Sequence, residues 1–489
     1  MPARENWVVL KFGGTSVASV DRWQTIADAI ERCAADGERV MVVCSALSGV
    51  SNLLQALIDA IGAEGDTAAT LAELRAKHEA LAEAMGLDAD AEIGATLAEL
   101  ERIVEGARLI GKVPAEVRAR LMSMGELMST RLGAAWLRAR GTSVAWRDAR
   151  SLLQAEPTAA GAGHSHHYLS ATCNYAPDAG LIDDLAGLSE NAVLTQGFIA
   201  ADSHGDTVLL GRGGSDTSAA YLAGKLAAQR LEIWTDVPGM FTANPKHRTD
   251  ARLLRAVTFE EAQVLAALGA RILHPRCIPP VRDNDIPLHI RCTQAPDMDG
   301  TVISSATAAK EPGVKAVVSR HHLYLIRIDC YGHWHLAGTL ARATGVFAQH
   351  GIAIDLIANS ASSITVTIDP VASPLTEHDL DRLVASLEAI GTTNVNPEVG
   401  SVSIVGSNIA SVMSRLSPAL RPMEAQQIHL VSDAGPDDAL SFVLEPEDVN
   451  YLLNPLHDWL MAQPQSEAIF GPAWWELSGQ LSRGSSRSE

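Results

Sequence analysis

Leu210-Gly211-Arg212-Gly213-Gly214-Ser215-Asp216-Thr217 joins an apolar run, Thr207-Val208-Leu209-Leu210, to an alanine-rich stretch of helical spacing from Ser218 to Ala227. A strand, a glycine turn and a helix start leave backbone N–H groups free at the helix N-terminus, where they attract anions. Arg212 adds a planar fork suited to a carboxylate or phosphate. Asp216 adds a fixed negative charge beside it. Both signs of charge in one loop suit a zwitterion such as an amino acid.

Other segments place reactive residue types after apolar runs. Lys11-Phe12-Gly13-Gly14-Thr15-Ser16 follows Trp7-Val8-Val9-Leu10. In an open α/β sheet, ligands bind at the carboxyl ends of the strands. Glycines there let the backbone approach phosphates, and Lys11 can meet transferring charge. The loop is not a Walker A motif, because the lysine precedes the glycines. Ser45-Ala46-Leu47-Ser48-Gly49-Val50-Ser51-Asn52 follows the run from Arg39 to Cys44 and offers hydroxyls for a polar substrate, or simply a helix cap and turn. In Trp234-Thr235-Asp236-Val237-Pro238-Gly239, Asp236 can accept from a ribose hydroxyl or bind metal-linked water; a Pro-Gly turn explains the spacing equally well. Ser123-Met124-Gly125-Glu126 lies in an apolar helical setting, where a carboxylate can pair with an ammonium or merely face solvent. Together, four strand ends bearing Lys, Ser, Arg/Asp and Asp on one sheet edge describe a pocket for a nucleotide and a small zwitterion.

The elements that must position these residues alternate. Between the first two apolar runs, Val20 to Ala35 has helical periodicity, giving β-α-β and a parallel sheet. Thr67 to Arg140 reads as nearly continuous helix with one break around Gly111 to Pro114. Val193 to Ala200, Thr207 to Leu210 and Leu231 to Thr235 read as strands. Gly161 to Tyr168, with His164, His166 and His167, reads as a solvated loop, since no carboxylate is spaced with it to hold a metal. The texture changes between Thr301 and Val314. One block then predicts strand (323–328), helix (336–350), strand (353–358), strand (363–368) and helix (375–390). A second repeats it with a strand at 402–405, a helix at 409–416 that must stop before Pro418, strands at 427–431 and 439–444, and a helix at 448–460. Paired βαββαβ blocks suggest small ferredoxin-like modules. The last stretch ends in Ser and Arg, yet Phe470-Gly471-Pro472-Ala473-Trp474-Trp475 is too apolar for a free tail and is expected to dock.

The chain has 489 residues, too many for one ordinary core, which implies two or three domains. Hydrophobic content of 47% and charged content of 20% describe a soluble globular protein. A net charge of −20 argues against a nucleic-acid surface. It also requires that an anionic substrate be drawn in by local Lys, Arg and metal. The six cysteines are scattered, with no CxxC and no zinc spacing, so a reduced, cytoplasmic protein is expected. Met1 to Asn6 lacks a signal-peptide layout, and no apolar run is long enough to span a bilayer.

The set KFGGTS, VVCSALSGVSNLL, SMGE, TQGF, GRGGSD, WTDVPG and LHP resembles aspartate kinase (aspartokinase), of the amino-acid kinase fold, from about Val8 to about Leu460. The resemblance implies an α/β, three-layer αβα domain with a mainly parallel sheet over residues 1–305. Two ferredoxin-like (βαββαβ) ACT domains would follow at 306–398 and 399–462, with a tail or linker at 463–489. It implies transfer of the ATP γ-phosphoryl group to the side-chain carboxylate of L-aspartate, the entry step to lysine, threonine and methionine. By resemblance, Lys11 stabilises the transferring group and Gly13 and Gly14 form the phosphate turn. Arg212 clamps the α-carboxylate of aspartate, while Glu126 and Asp216 hold its ammonium group or organise that end of the site. Ser45, Ser51, Phe198 and Ser215 line the aspartate pocket. Thr235, Asp236, Phe241, Lys246 and Arg271 lie on the nucleotide side. Mg²⁺ bridges the phosphates mostly through water and phosphate oxygens, so no protein metal ligand is expected.

The chain departs from the pattern at Phe241, where many relatives have Tyr, at Asn244-Pro245-Lys246 in place of Asp-Pro-Arg, and at Arg271 in place of a common Lys. These changes bear on the nucleotide contacts. Asp355-Leu356-Ile357-Ala358-Asn359-Ser360 corresponds to the effector segment of the ACT pair, with Asn359 for the usual Thr and Gly338-Thr339 for a glycine-phenylalanine pair. The resemblance implies pairing of ACT modules between subunits, as a homodimer or higher oligomer, and feedback inhibition by lysine or threonine. Its rivals are another amino-acid kinase, an ACT pair that only dimerises, a non-catalytic sensor on the same fold, and the kinase part of a fusion with diaminopimelate decarboxylase or homoserine dehydrogenase.

Overall fold

Val8, Val9 and Leu10 are all fully buried, the mark of a central parallel strand covered on both faces. The computed structural model places them in β1 (Trp7–Phe12), and describes residues 6–485 apart from 64, 158–162, 271, 306–312, 331–335, 374, 422–425 and 435–437. The chain continues through α1 (Val20–Ala35), β2 (Arg39–Cys44), α2 (Val50–Gly62), α3 (Ala68–Ala84), α4 (Ala89–Ile110), α5 (Ala115–Ala139) and β3 (Val144–Trp146). Then come α6 (His164–Leu169), α7 (Ala179–Ala186), β4 (Ala192–Gln196), β5 (Ile199–Ala201), β6 (Thr207–Leu209), α8 (Gly214–Lys225) and β7 (Arg230–Thr235). The domain closes with β8 (Arg252–Leu254), β9 (Ala256–Val257), α9 (Phe259–Ala267), α10 (Ile278–Asp283), β10 (Leu288–Cys292) and β11 (Thr301–Ile303).

The main sheet has the order β3-β4-β2-β1-β7-β10-β11-β9, and only the β10–β11 pair in it is antiparallel. Alternate residues of β1 feed opposite layers. Val8, Leu10 and Phe12 pack with Trp23 and Ile26 of α1, Leu54 of α2 and Leu121 of α5. Trp7 and Val9 pack with Leu222 of α8, Phe259 of α9 and Val281 of α10. This is the expected three-layer αβα arrangement.

Several expectations need correction. The run 193–200 is broken at Gly197-Phe198, and β6 pairs antiparallel with β5 in a separate hairpin rather than joining the main sheet. The glycine-rich turn after β6 therefore reaches the sheet edge from outside it. The long helical region breaks a second time. Gly86 takes φ +70°, and Asp88 caps α4 by accepting from the N–H groups of Asp90 and Ala91. The histidine segment forms the short helix α6, not a loop.

The remainder comprises β12 (Gly313–Asp329), α11 (Leu336–Gln349), β13 (Ile357–Asn359), β14 (Ser363–Ile368), α12 (Glu377–Glu388), β15 (Thr392–Ser407), α13 (Met413–Leu420), β16 (Ile428–Ala434), β17 (Ala439–Leu444) and α14 (Val449–Met461). Its sheet runs β13-β14-β12-β15-β17-β16. The long strands β12 and β15 serve both modules. The Tyr324–Asp329 half of β12 pairs with β14, while the Gly400–Val405 stretch of β15 pairs with β17. A boundary between residues 398 and 399 thus falls inside β15, and Gly313–Arg320 pairs with the end of β15 that belongs to the second module. The expected strand 353–358 shortens to β13. Helix α13 runs through Pro418 instead of stopping before it: the exposed ring lies opposite Leu416 and Ala419, whose burial carries the helix on.

The tail docks. β18 (Phe470–Ala473) pairs with β8 in a two-stranded ladder outside the two large sheets, and α15 (Trp474–Ser485) follows it. Arg252 donates to the Phe470 and Gly471 carbonyls and to Gln465. Among the described residues, no helix is long and apolar enough to cross a membrane.

Candidate active site

The turns after β1, β2 and β4 are stitched together by backbone bonds from Ser45 N–H to the Phe12 carbonyl (3.1 Å) and from Gly197 N–H to the Cys44 carbonyl (2.9 Å). A Cβ on Gly14 would lie 2.8 Å from the Ala46 carbonyl oxygen, so only glycine lets these turns touch. The turn after β6 closes over them. Gly213 takes φ +64°, and a Cβ there would overlap the side chain of His274. A Cβ on Gly214 would meet the Phe198 ring at 2.6 Å, and one on Gly197 would meet Ser215 at the same distance.

This packing brings Lys11 and Asp216 together. Lys11 Nζ lies 2.5 Å from Asp216 Oδ1, with both side chains mostly buried, as an ion pair of charge contact rather than aligned hydrogen bonding. Arg212 is exposed and has no ion pair among the described residues. Phe198 is held at φ +71°, unusual for a non-glycine residue. Its N–H donates to Ser218 Oγ (2.9 Å) and its carbonyl accepts from Leu210 N–H (2.9 Å). Ser45 is half-buried beside this group, while Ser51 is exposed on α2.

Glu126 is the most unusual carboxylate here. It is 3% exposed, and its Oε2 is buried without a hydrogen-bond partner. A Cβ on the neighbouring Gly125 would meet Ala46 Cβ at 2.8 Å, so α5 seats this carboxylate against the turn after β2. Burial pushes its pKa up to about 8, against the pull of its own backbone N–H and that of Ala46. A buried carboxylate with an unused oxygen is a receptor for a cation.

Of the residues expected on the nucleotide side, Thr235 ends β7 and Asp236 follows it, exposed and accepting from the Thr235 hydroxyl at 3.1 Å. Lys246 is exposed nearby in the chain, in a turn where Asn244 Oδ1 accepts its N–H. Phe241 is buried elsewhere. It packs with Ala251, Leu253 and Leu477 and meets Trp474 edge-on at 5.5 Å, so its side chain is taken up by the docked tail. Arg271 lies outside the described residues.

Polar residues in and beside the LHP and TQGF motifs have roles that the sequence alone does not reveal. Arg276 donates to the Leu210 carbonyl (2.6 Å) and the Ala171 carbonyl (2.9 Å), and so holds the base of the glycine-rich turn. His274 Nδ1 accepts the Arg276 N–H at 3.3 Å. Burial, aided by Arg276 and Arg212, holds this imidazole below its usual range, while Asp216 pulls the other way. Gln196 accepts from Ala149 N–H and donates to Thr130, whose hydroxyl donates to the Glu126 carbonyl.

The segment matched to effector binding lies at the far edge of the second sheet. Arg320 grips Asp355 with two bonds of 2.8 and 2.6 Å, and the Thr367 hydroxyl donates to Asp355 as well. Asn359 and Ser360 are exposed at the end of β13, with Ser360 Oγ accepting from Ser362 and Ser363 N–H; Gly338 is exposed on α11. Between the two halves of the molecule, Glu261 of α9 is fully buried and accepts from Lys315 of β12 (2.5 Å) and Ser407 of β15 (2.6 Å).

A profile of the amino acid kinase family matches residues 6–292. The lysine-sensitive aspartokinase 3 of Escherichia coli is 31% identical over 457 residues, which span 92% of this chain and 98% of that protein. The chloroplastic aspartokinase 3 of Arabidopsis thaliana is 28% identical over 94% of this chain and 83% of its own. The solved structure of E. coli aspartokinase III in complex with aspartate and ADP (R-state) matches with a TM-score of 0.77 at 30% identity, covering 93% of this chain and all of that one. The complex with lysine and aspartate (T-state) matches at 0.71.

Proposed function

We propose, for a chain that belongs to the amino acid kinase family and within it to the aspartokinases, that it transfers the γ-phosphoryl group of ATP to the side-chain carboxylate of L-aspartate. The observation that carries the choice of acceptor is Glu126, a buried carboxylate with one oxygen unused, seated against the turn after β2; Arg212, exposed on the glycine-rich turn with no ion pair among the described residues, offers the opposite charge. An α-amino acid presents an ammonium to the first and a carboxylate to the second. Its side-chain carboxylate is then free to face Lys11.

That carboxylate is already ionised at neutral pH, so the reaction needs no general base. One of its oxygens forms the new P–O bond as the bond from the γ-phosphorus to the β,γ-bridging oxygen breaks, and ADP leaves with that electron pair. Catalysis then rests on positioning and charge neutralisation. Lys11 is held by Asp216 in a mostly dry setting, ready to meet the charge on the transferring group. Residues of the nucleotide side fit a phosphate-bridging Mg²⁺ held through water, since the Asp236 carboxylate is exposed there. When bound, the ion would neutralise phosphate charge.

Feedback inhibition by lysine or threonine at the segment from Asp355 to Ser360 belongs to the same reading, and with it a place at the head of lysine, threonine and methionine synthesis. It is supported by the similarity to a relative named as lysine-sensitive. Assembly through the second sheet is supported by apolar side chains left exposed where β13 and β16 approach each other, Ile357, Ile428 and Val431. The test is ADP release with a panel of acceptors. L-aspartate should support turnover, whereas L-glutamate and N-acetyl-L-glutamate should not; a preference for either of the latter would overturn the assignment.

A further inference from the structure

The backbone ladder between β1 and β7 pairs Lys11 with Ile233 and ends at Phe12 and Trp234; the segments that follow, Gly13-Gly14 and Thr235-Asp236, share no backbone bond among the described residues. What spans the gap is the residue just past β10. Thr293 is 3% exposed, and both its N–H and its hydroxyl donate to the Thr235 carbonyl, each at 2.8 Å. A hydroxyl has one hydrogen. Its 2.9 Å contact with Ser16 Oγ must therefore run the other way, with Ser16 donating to Thr293. Ser16 is 2% exposed, and its N–H closes the phosphate turn onto the Gly13 carbonyl at 2.9 Å. The result is a directed chain: Ser16 O–H to Thr293 O–H to the Thr235 carbonyl.

We infer that Thr293 is a positioning residue for phosphoryl transfer. It fixes the separation between the turn that meets the transferring group and the turn that faces the nucleotide. The inference rests on the kinase reading above. A hydroxyl pair at this place sets alignment of the γ-phosphoryl group with Lys11 and leaves the Glu126 and Arg212 end of the pocket untouched. Misalignment on the scale of 1 Å can cost about 100-fold in rate.

The experiment compares wild-type, Thr293→Val, Thr293→Ser and Ser16→Ala in steady-state kinetics, with nucleotide affinity measured separately by calorimetry. Thr293→Val keeps the shape and removes the hydroxyl. It should lower kcat by about 10- to 100-fold while the KM for aspartate stays within about twofold, and Thr293→Ser should recover most of the loss. The Ser16→Ala/Thr293→Val double variant should be little worse than either single one. An unchanged kcat in Thr293→Val would overturn the inference. So would equal losses in both KM values that track a lower melting temperature, since that is what a merely structural residue would give. If wild-type protein itself fails to phosphorylate aspartate, the kinase reading has failed and this inference falls with it.

Discussion

Lys11 and Asp216 lie far apart in the sequence and meet at 2.5 Å in a packing that needs bare glycines: Gly14 lets the turn after β1 touch Ala46, while Gly213 and Gly214 seat the turn after β6 against His274 and Phe198. Removing either cation of the site should therefore separate two roles. Lys11→Ala should lower kcat by about 100-fold or more, the scale of losing one transition-state donor, with a small change in the KM for aspartate. Arg212→Ala should mainly raise that KM. Equal, purely aspartate-affinity effects in both would contradict the roles assigned.

Glu126 makes a second prediction, about protons. A glutamate titrates near 4.5 in an unfolded chain and at about 8 here. Between those values the folded protein holds a proton that the unfolded chain lacks, so stability should fall as pH rises from about 4.5 to about 8. An aspartate ammonium placed against Glu126 favours the ionised form, so binding at pH 7 should release close to one proton. Calorimetry in buffers of different ionisation enthalpy measures this directly, and Glu126→Gln should abolish it. Charged and glycine residues of the site were legible because their types are costly anywhere else. Thr293, Ser16 and His274 were not, because a buried hydroxyl or imidazole looks like any turn residue until tertiary pairing gives it a partner. Phe241 shows the converse: the family resemblance puts this position on the nucleotide side, and packing against Trp474 decides where its ring goes.

The turns themselves are the unit of the next scale. Gly14→Ala would push a methyl group to 2.8 Å from the Ala46 carbonyl, which is backbone and cannot rotate away. The turns after β1 and β2 should part, at a cost of about 1–3 kcal/mol in denaturant unfolding and with a larger loss of kcat than of stability. Lys315→Met should cost more, on the order of 3–5 kcal/mol, because it strips the charge partner from a fully buried Glu261. The alternation of strand and helix was legible from periodicity alone. Helix α13 was cut short because a proline was read as a stop, yet the burial of Leu416 and Ala419 outweighs one missing backbone bond. The run 207–210 reads correctly as a strand, but a short apolar run does not reveal its neighbour, and β6 pairs with β5 outside the main sheet.

Across the whole molecule, the second sheet is tied to the first domain through Glu261, Lys315 and Ser407 on one side and Arg248, bonded to both Asp250 and Asp458, on the other. The long strands β12 and β15 run from that junction to the segment around Asp355, and their sharing between two modules is invisible to a linear division of the sequence. The tail adds a clasp over β8. Deleting residues 466–489 should expose Leu253 and Phe241, lower the melting temperature and promote aggregation. An unchanged melting curve would show that the clasp contributes nothing to stability.

The central claim is that a carboxylate of aspartate receives the phosphoryl group. An acyl phosphate reacts with hydroxylamine, so the most direct measurement is ATP- and Mg²⁺-dependent formation of aspartyl hydroxamate from L-aspartate, with and without added lysine and threonine. The account predicts hydroxamate from the wild-type protein, strong loss in Lys11→Ala, and suppression by one or both amino acids. A folded wild-type protein that forms no hydroxamate would contradict it.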